Sequence, residues 1–332
     1  MALRLSMRDS SRYPPLQAIA LAALIYALLE VACHLYLPPS TMEAHFRQVR
    51  ERMSAGPPAK VQLMGDSVAI DGILTSVMDP EGLAIRHDAI EGSGPVFSYL
   101  LLREEIAAGR VPSYLLMAQS PHTFSGIRYE ILMGRFAYWS EMPELAWRAE
   151  ERPEVIYGIF ARLSYMLSYR EQLREALFGD MAFFEEAAAP VKSEAERLSA
   201  YRALAESGRF VPKKLPDGIS STNVEKFLVA PQVDYYFRRL LDLAQENGVK
   251  VYWISLPVPQ RVFDFREQLD YYPDLFRYLD PFVARGQMQY LQRDAVVYED
   301  SQFDDLLHMN MAGAVQFSQH LQERWRAAGL GR

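Results

Sequence analysis

Short apolar runs that end in turn residues alternate along this chain with longer amphipathic stretches, and no other feature restricts its fold as much. The runs lie at 60–64, 83–90, 113–118, 249–255 and 295–298. Each is too short for a helix of ordinary length and is flanked by turn-forming residues, the pattern of a buried strand. Between them, 96–108, 224–247 and 310–328 carry apolar residues at helical spacing. Gly248, at a C-cap position, passes the second of these helices straight into the run at Val249. Strands alternating with helices imply a parallel sheet covered on both faces, an α/β fold of three α/β/α layers. At 332 residues the chain is long enough for one such unit with an insertion.

The alternation breaks between 127 and 223. That stretch has no strand pattern, only aromatic-rich helical segments at 129–147 and 155–178 and a charged one at 191–206. It reads as a helical insertion between the third and fourth strands. Its role is either packing or that of a lid, acceptor-binding surface or docking face. Insertions beyond strand C-termini lie where open α/β sheets bind ligands.

Residues 16–37 are apolar over a length that crosses a bilayer as a helix, and Arg4, Arg8 and Arg12 precede them. The positive-inside rule keeps these arginines in the cytoplasm and sends the following chain outward. No Ala-x-Ala cleavage pattern follows, so 1–38 is expected to be an uncleaved, single-pass anchor in the inner (cytoplasmic) membrane, with the folded domain in the periplasm or cell exterior. Glu30 and His34 interrupt the apolar run near its outer end, where they snorkel or pack on a membrane partner. Glu30, three residues before Cys33, argues against lipoprotein processing there. Residues 39–58 read as a short helix and linker, and the folded core as 59–126 and 224–332.

Composition excludes other classes. Asp+Glu 42 outnumber Lys+Arg 35, leaving no broad basic surface for nucleic acid. The single cysteine forms no internal disulfide framework or thiolate cluster. His87 with Asp88 has no third ligand in view, so neither metal nor cofactor is expected.

The chemistry centres on Ser67. The first strand stops at Gly65-Asp66-Ser67, a turn that lifts the serine hydroxyl to the sheet's C-terminal edge. A serine needs a base to take its proton, and the base works best when a carboxylate fixes its tautomer. Asp305 and His308, three residues apart, supply both from one turn. Asp304 is the rival carboxylate, at an offset of four. Asp66 is expected to support the turn, and His122 to be packed or exposed rather than a substrate contact.

Gly65-Asp66-Ser67 near the domain start and Asp305-x-x-His308 near its end resemble the first and last motif blocks of the SGNH (GDSL-like) hydrolase superfamily. One branch is closer still: membrane-anchored bacterial proteins of unknown function that resemble the D-alanyl transfer protein of teichoic acid modification. The pattern there includes Gly92-Ser93-Gly94-Pro95, a strand ending in Ser120-Pro121, and Phe303-x-Asp305-x-x-His308-x-Asn310-x-x-Gly313. Residues 59–125 and 224–328 carry this likeness.

The resemblance implies a Ser67–His308–Asp305 triad and an oxyanion hole formed by the Ser67 N–H, a glycine that Gly94 fits, and a third donor. Where superfamily esterases have Gly-x-Asn-Asp, this chain has Ala118-Gln119-Ser120-Pro121-His122, so Gln119 or Ser120 would donate instead. The departure fits an O-acyltransferase better than a simple esterase. An acyl group would pass from a donor through Ser67 to a hydroxyl of a cell-envelope glycan or exopolysaccharide, and the partner would be a multispanning membrane O-acyltransferase. The alternatives are a carbohydrate or lipid esterase, and a non-catalytic accessory subunit of a polysaccharide-modifying complex.

Overall fold

The computed structural model describes residues 14–36, 41–80, 85–125, 139–148, 152–168, 193–216 and 226–330. Its centre is a five-stranded parallel sheet in the order β2-β1-β3-β4-β6, built from β1 (Val61–Gly65), β2 (Ile85–His87), β3 (Tyr114–Ala118), β4 (Lys250–Ile254) and β6 (Gln289–Gln292). A two-stranded parallel ribbon, β5 (Val258–Pro259) with β7 (Val297–Tyr298), lies beside it.

Period-two alternation along the strands sorts the side chains into two cores. Met64, Leu115, Met117, Val251 and Trp253 face one layer of helices: α2 (Thr41–Ala55), α5 (Pro95–Ala107), α10 (Pro231–Glu246) and α12 (Tyr271–Ala284). Val61, Leu63, Leu116, Ala118, Tyr252 and Ile254 face the other, made chiefly by α3 (Ser67–Gly72) and α13 (Met311–Ala327). With both faces covered, the central strands are largely apolar, as expected of a parallel sheet, with the buried Gln62 of β1 paired to Asp88.

Two expectations are corrected. The strand sought at 295–298 belongs, as Val297–Tyr298, to the small ribbon, and the fifth strand of the main sheet is Gln289–Gln292 instead. That edge strand reads Gln-Tyr-Leu-Gln, too short and polar to stand out as an apolar run. Residues 39–58 are not merely a linker either, since α2 buries Phe46, Val49 and Met53 on one helical face against the sheet.

Between β3 and β4 the described residues are helical or irregular: α6 (Met142–Arg148), α7 (Arg152–Leu163), α8 (Tyr165–Ser168) and α9 (Glu194–Glu206). The rest of 127–223 lies outside the described residues. At the N-terminus, α1 (Pro14–Tyr36) is almost wholly exposed and contains a span, Gln17–Leu35, long and apolar enough to cross a membrane. Glu30 finds partners in its own chain: it accepts from the Ser164 hydroxyl and, at 3.3 Å, from the Met166 N–H, while Tyr26 Oη lies 2.7 Å from Ser164 Oγ.

A third element, α4 (Thr75–Met78), follows α3, and α11 (Gln260–Glu267) follows β5. In the sheet order, the chain leaves β1 for β2 on one side and β3 lies on the other. The C-terminal ends of β1 and β3 therefore flank the switch point where open α/β sheets form their ligand crevice.

Candidate active site

Ser67 stands at that switch point. The turn before it has no room for a side chain, because a Cβ on Gly65 would lie 2.3 Å from the Ala118 carbonyl oxygen and 2.5 Å from Ala69 Cβ. Asp66 then caps α3, accepting from the Val68 N–H at 3.0 Å, and its other oxygen accepts from the Ser120 N–H at 2.9 Å. One buried carboxylate thus ties the helix start to the end of β3. Such a cap contributes about 1 kcal/mol.

His308 reaches Ser67 from a loop at the far end of the sequence. His308 Nε2 is 2.9 Å from Ser67 Oγ, and its Nδ1 is 2.8 Å from Asp305 Oδ2. The second Asp305 oxygen accepts from the Leu307 and His308 N–H groups, each at 2.7 Å. The loop is held closed by an antiparallel bridge between Phe303 and Met309 and by the Asp304 N–H on the His308 carbonyl. Asn310 anchors its exit, capping α13 through the Ala312 and Gly313 N–H groups and donating to the Ser301 carbonyl. Gly313 packs so closely that a Cβ there would sit 2.4 Å from the Gln302 carbonyl oxygen. Asp304, the rival carboxylate, points instead toward Lys213, 3.8 Å away.

The electrostatics follow from these contacts. Burial pushes the Asp305 carboxyl up, but the hydrogen bonds from the His308 ring and the His308 and Leu307 N–H groups outweigh it and hold the pKa down at about 2. The bond to Asp305 raises His308, burial opposes, and the charges of Asp305, Asp71 and Asp66 add to the rise. An ionised Asp305 places the neutral imidazole's proton on Nδ1, which leaves the Nε2 lone pair to accept the Ser67 proton. An arrangement of this kind activates a serine for attack on a carbonyl.

The oxyanion candidates are brought together unevenly. Ser67 is the first residue of α3, so its N–H has no helical acceptor. Gly94 caps α5 in an extended conformation, following Gly92 at φ 65°, and Ser93 Oγ donates to the Gly65 carbonyl at 2.8 Å, which fixes this turn against the end of β1. Gln119 is not brought to Ser67. Its side chain is fully buried and turned toward Ser98, to which its amide donates at 3.0 Å, and Thr123. Ser120 sits beside Asp66 with a buried hydroxyl that has no hydrogen-bond partner among the described residues.

His122, expected to be packed or exposed, belongs to the site's surroundings. Burial lowers its pKa, the Asp66 charge opposes that, and the Arg266 and His308 charges add to the lowering, which places the ring within electrostatic reach of Asp66 and His308.

The sequence also gave no warning of the contribution of α9. Arg197 donates to Asp71 Oδ1 at 2.7 Å and to the Ile70 carbonyl at 3.0 Å. Glu194 receives the Thr75 and Ser76 N–H groups at the start of α4. These clasps run from the 127–223 segment onto the helices that follow Ser67. The available signal was weak: the Ser193–Glu196 capping box marks where α9 begins, but not what it packs on.

Fold and site together define a three-layer α/β domain with a serine, a histidine and an aspartate hydrogen-bonded in series at the sheet's switch point. Solved structures similar to this chain include the following two. One, from Streptococcus pneumonia and named for a platelet activating factor, is 12% identical with a TM-score of 0.37, covering 94% of this chain and 98% of its own. The other, a GDSL-like lipase from Bacteroides thetaiotaomicron, is 10% identical with a TM-score of 0.38, covering 85% of this chain and 98% of its own. No protein-family model matches the sequence, and no curated protein matches it.

Proposed function

We propose that the chain is a membrane-anchored, extracytoplasmic serine acyltransferase of the SGNH type, acting on a hydroxyl of a cell-envelope glycan or exopolysaccharide. The supporting observation is the continuous hydrogen-bonded series from Ser67 Oγ through His308 to Asp305. Ser67 attacks the acyl donor's carbonyl while His308 takes its proton, and the developing oxyanion is met by the Ser67 and Gly94 N–H groups with Ser120 as the third donor. His308 returns the proton to the leaving group. The acyl-serine is then attacked by the glycan hydroxyl, with His308 as base again.

The membrane anchor supports transfer, because a tethered enzyme receives acyl groups from a membrane partner such as a multispanning O-acyltransferase. Exposure of the site supports hydrolysis as the second reading: the Asp305 side chain is 53% exposed and that of His308 28%, so water reaches the acyl-serine.

The test is labelling by a serine-directed fluorophosphonate. Wild type is expected to label and Ser67→Ala not. Equal failure of both, with an aryl acetate left uncleaved, would remove the enzyme reading. Supplying glycan acceptors then separates transfer from hydrolysis by whether the acyl group appears on glycan or in water.

A further inference from the structure

We propose that α6–α8 form a membrane-interface platform that lies in the outer headgroup region beside α1 and holds the domain against the lipid surface. This rests on the anchor reading above and extends it from one helix to the inserted segment.

Depth is the first observation. Glu30 lies five residues before Leu35, the outer end of the apolar span, which is about 7.5 Å along a helix axis. Tyr26 lies about 6 Å deeper. Both bond Ser164, and Glu30 also takes the Met166 N–H, so the junction between α7 and α8 is fixed about 7.5–13.5 Å below the outer end of the span. If α1 spans, this junction cannot sit in bulk water. Interfacial helices bury an apolar face about 5–10 Å into the headgroup and acyl boundary, a depth that overlaps the shallower end of this range.

The second observation is the surface that this junction carries. Ile156, Phe160 and Leu163, at i, i+4 and i+7, form one stripe of α7 that is 47%, 55% and 66% exposed. The adjoining flank of α7 is already used, since Ile159, about 60° round the helix from Ile156, packs on the main core. Leu163 directly precedes Ser164, so the stripe runs up to the contact with α1, whose Leu24, Ile25, Leu28 and Leu29 are exposed as well. Flanking it, Trp139 is 52% and Trp147 78% exposed, with the Arg162 guanidinium 4.5 Å from the Trp139 ring centroid. Tryptophan beside arginine at the end of an apolar surface is the composition of a bilayer interface. Continuity with the spanning helix selects lipid over a protein partner as the occupant.

The fluorescence of the full chain in vesicles tests this. Two of its four tryptophans, Trp253 and Trp325, are buried in the cores at 0% and 5% exposure, so lipid-borne quenchers report on Trp139 and Trp147. Lipids brominated near the headgroup end of the acyl chain are expected to quench about half of the emission, more than lipids brominated near the terminal methyl. Trp139→Phe/Trp147→Phe should abolish that quenching. A second variant, Ile156→Glu/Phe160→Glu/Leu163→Glu, keeps both tryptophans and should lose the quenching while Ser67 still labels in detergent.

Resistance to alkaline carbonate extraction reports on α1 separately. A chain that resists extraction yet shows no quenching overturns the platform and leaves the anchor standing. A chain released by carbonate overturns both.

Discussion

Arg197 Nη1 donates to Asp71 Oδ1 across 2.7 Å, joining a helix of the inserted segment to the helix that begins at Ser67. Asp71 is one turn beyond the serine, and its charge raises His308. Arg197→Ala should therefore loosen the seat of Ser67. Both partners are partly exposed, so the stability loss is held to about 1 kcal/mol by solvent screening. Thermal melting is expected to fall slightly while the fluorophosphonate labelling rate drops several-fold. An unchanged rate would mean that α9 does not position the site.

The pH dependence of labelling follows from the signs of the shifts. His308 acts as base only when neutral, and its pKa is raised above the ordinary 6.5, so the acidic limb of the rate should lie above pH 6.5. Asp305→Asn removes the largest raising cause and leaves burial, which lowers, opposed only by the Asp71 and Asp66 charges; the limb should move to lower pH, and the rate should fall by up to about 10⁴-fold from loss of the tautomer. Stability runs with opposite signs at the two residues. The raised His308 stabilises fully below 6.5, and this is lost as pH rises through its folded value. The depressed Asp305 stabilises above 3.8, and this is lost as pH falls toward about 2.

Gly65→Ala should be among the most damaging small substitutions. The new methyl meets backbone at 2.3 Å, and a parallel strand pair cannot move apart without breaking its ladder. Overpacking of this kind costs about 1–3 kcal/mol or more. A chemical denaturation curve of the full chain, compared with Gly109→Ala, measures it. Gly109 sits at φ 73° with open space around it, so its substitution carries only backbone strain.

Away from the site, Glu105 is 1% exposed and accepts from both Arg86, at 2.9 Å, and Arg110, at 3.0 Å, while Arg86 also holds the buried Asp88 at 2.7 Å. Glu105→Ala would leave the partly buried Arg86 with half its partners. Breaking a buried pair from one side costs about 3–5 kcal/mol, so the denaturation midpoint should fall steeply. Ser67 labelling of the protein that remains folded should be normal.

Much of this was legible beforehand, for reasons that particular residues make plain. The strands at 61–65, 114–118 and 250–254 announced themselves because both faces are buried, which makes them mostly apolar runs, broken only by Gln62 and the leading Lys250. Ser67, Asp305 and His308 were readable because each sits at a turn whose neighbours are constrained: Gly65 by the Ala118 carbonyl, Gly313 by Gln302. The edge strand at 289–292 was hidden because one polar, four-residue strand has no run to show. The α12 helix was hidden by Pro281 inside it. Gln119 could not be placed from spacing alone, since whether it faces Ser67 or Ser98 depends on how α5 packs. The clasps of Glu194 and Arg197 are contacts between segments more than a hundred residues apart, which local pattern does not encode.

The 241 residues that separate Ser67 from His308 also set a clock. Translation at about 5–20 residues per second leaves an interval of roughly 12–50 s in which the serine has been made and its base has not. Throughout that interval the nascent chain carries an inert hydroxyl, so it cannot acylate itself or the machinery that handles it. The hydrogen-bonded series from Ser67 to Asp305 is completed in one step, when the last loop closes over the sheet.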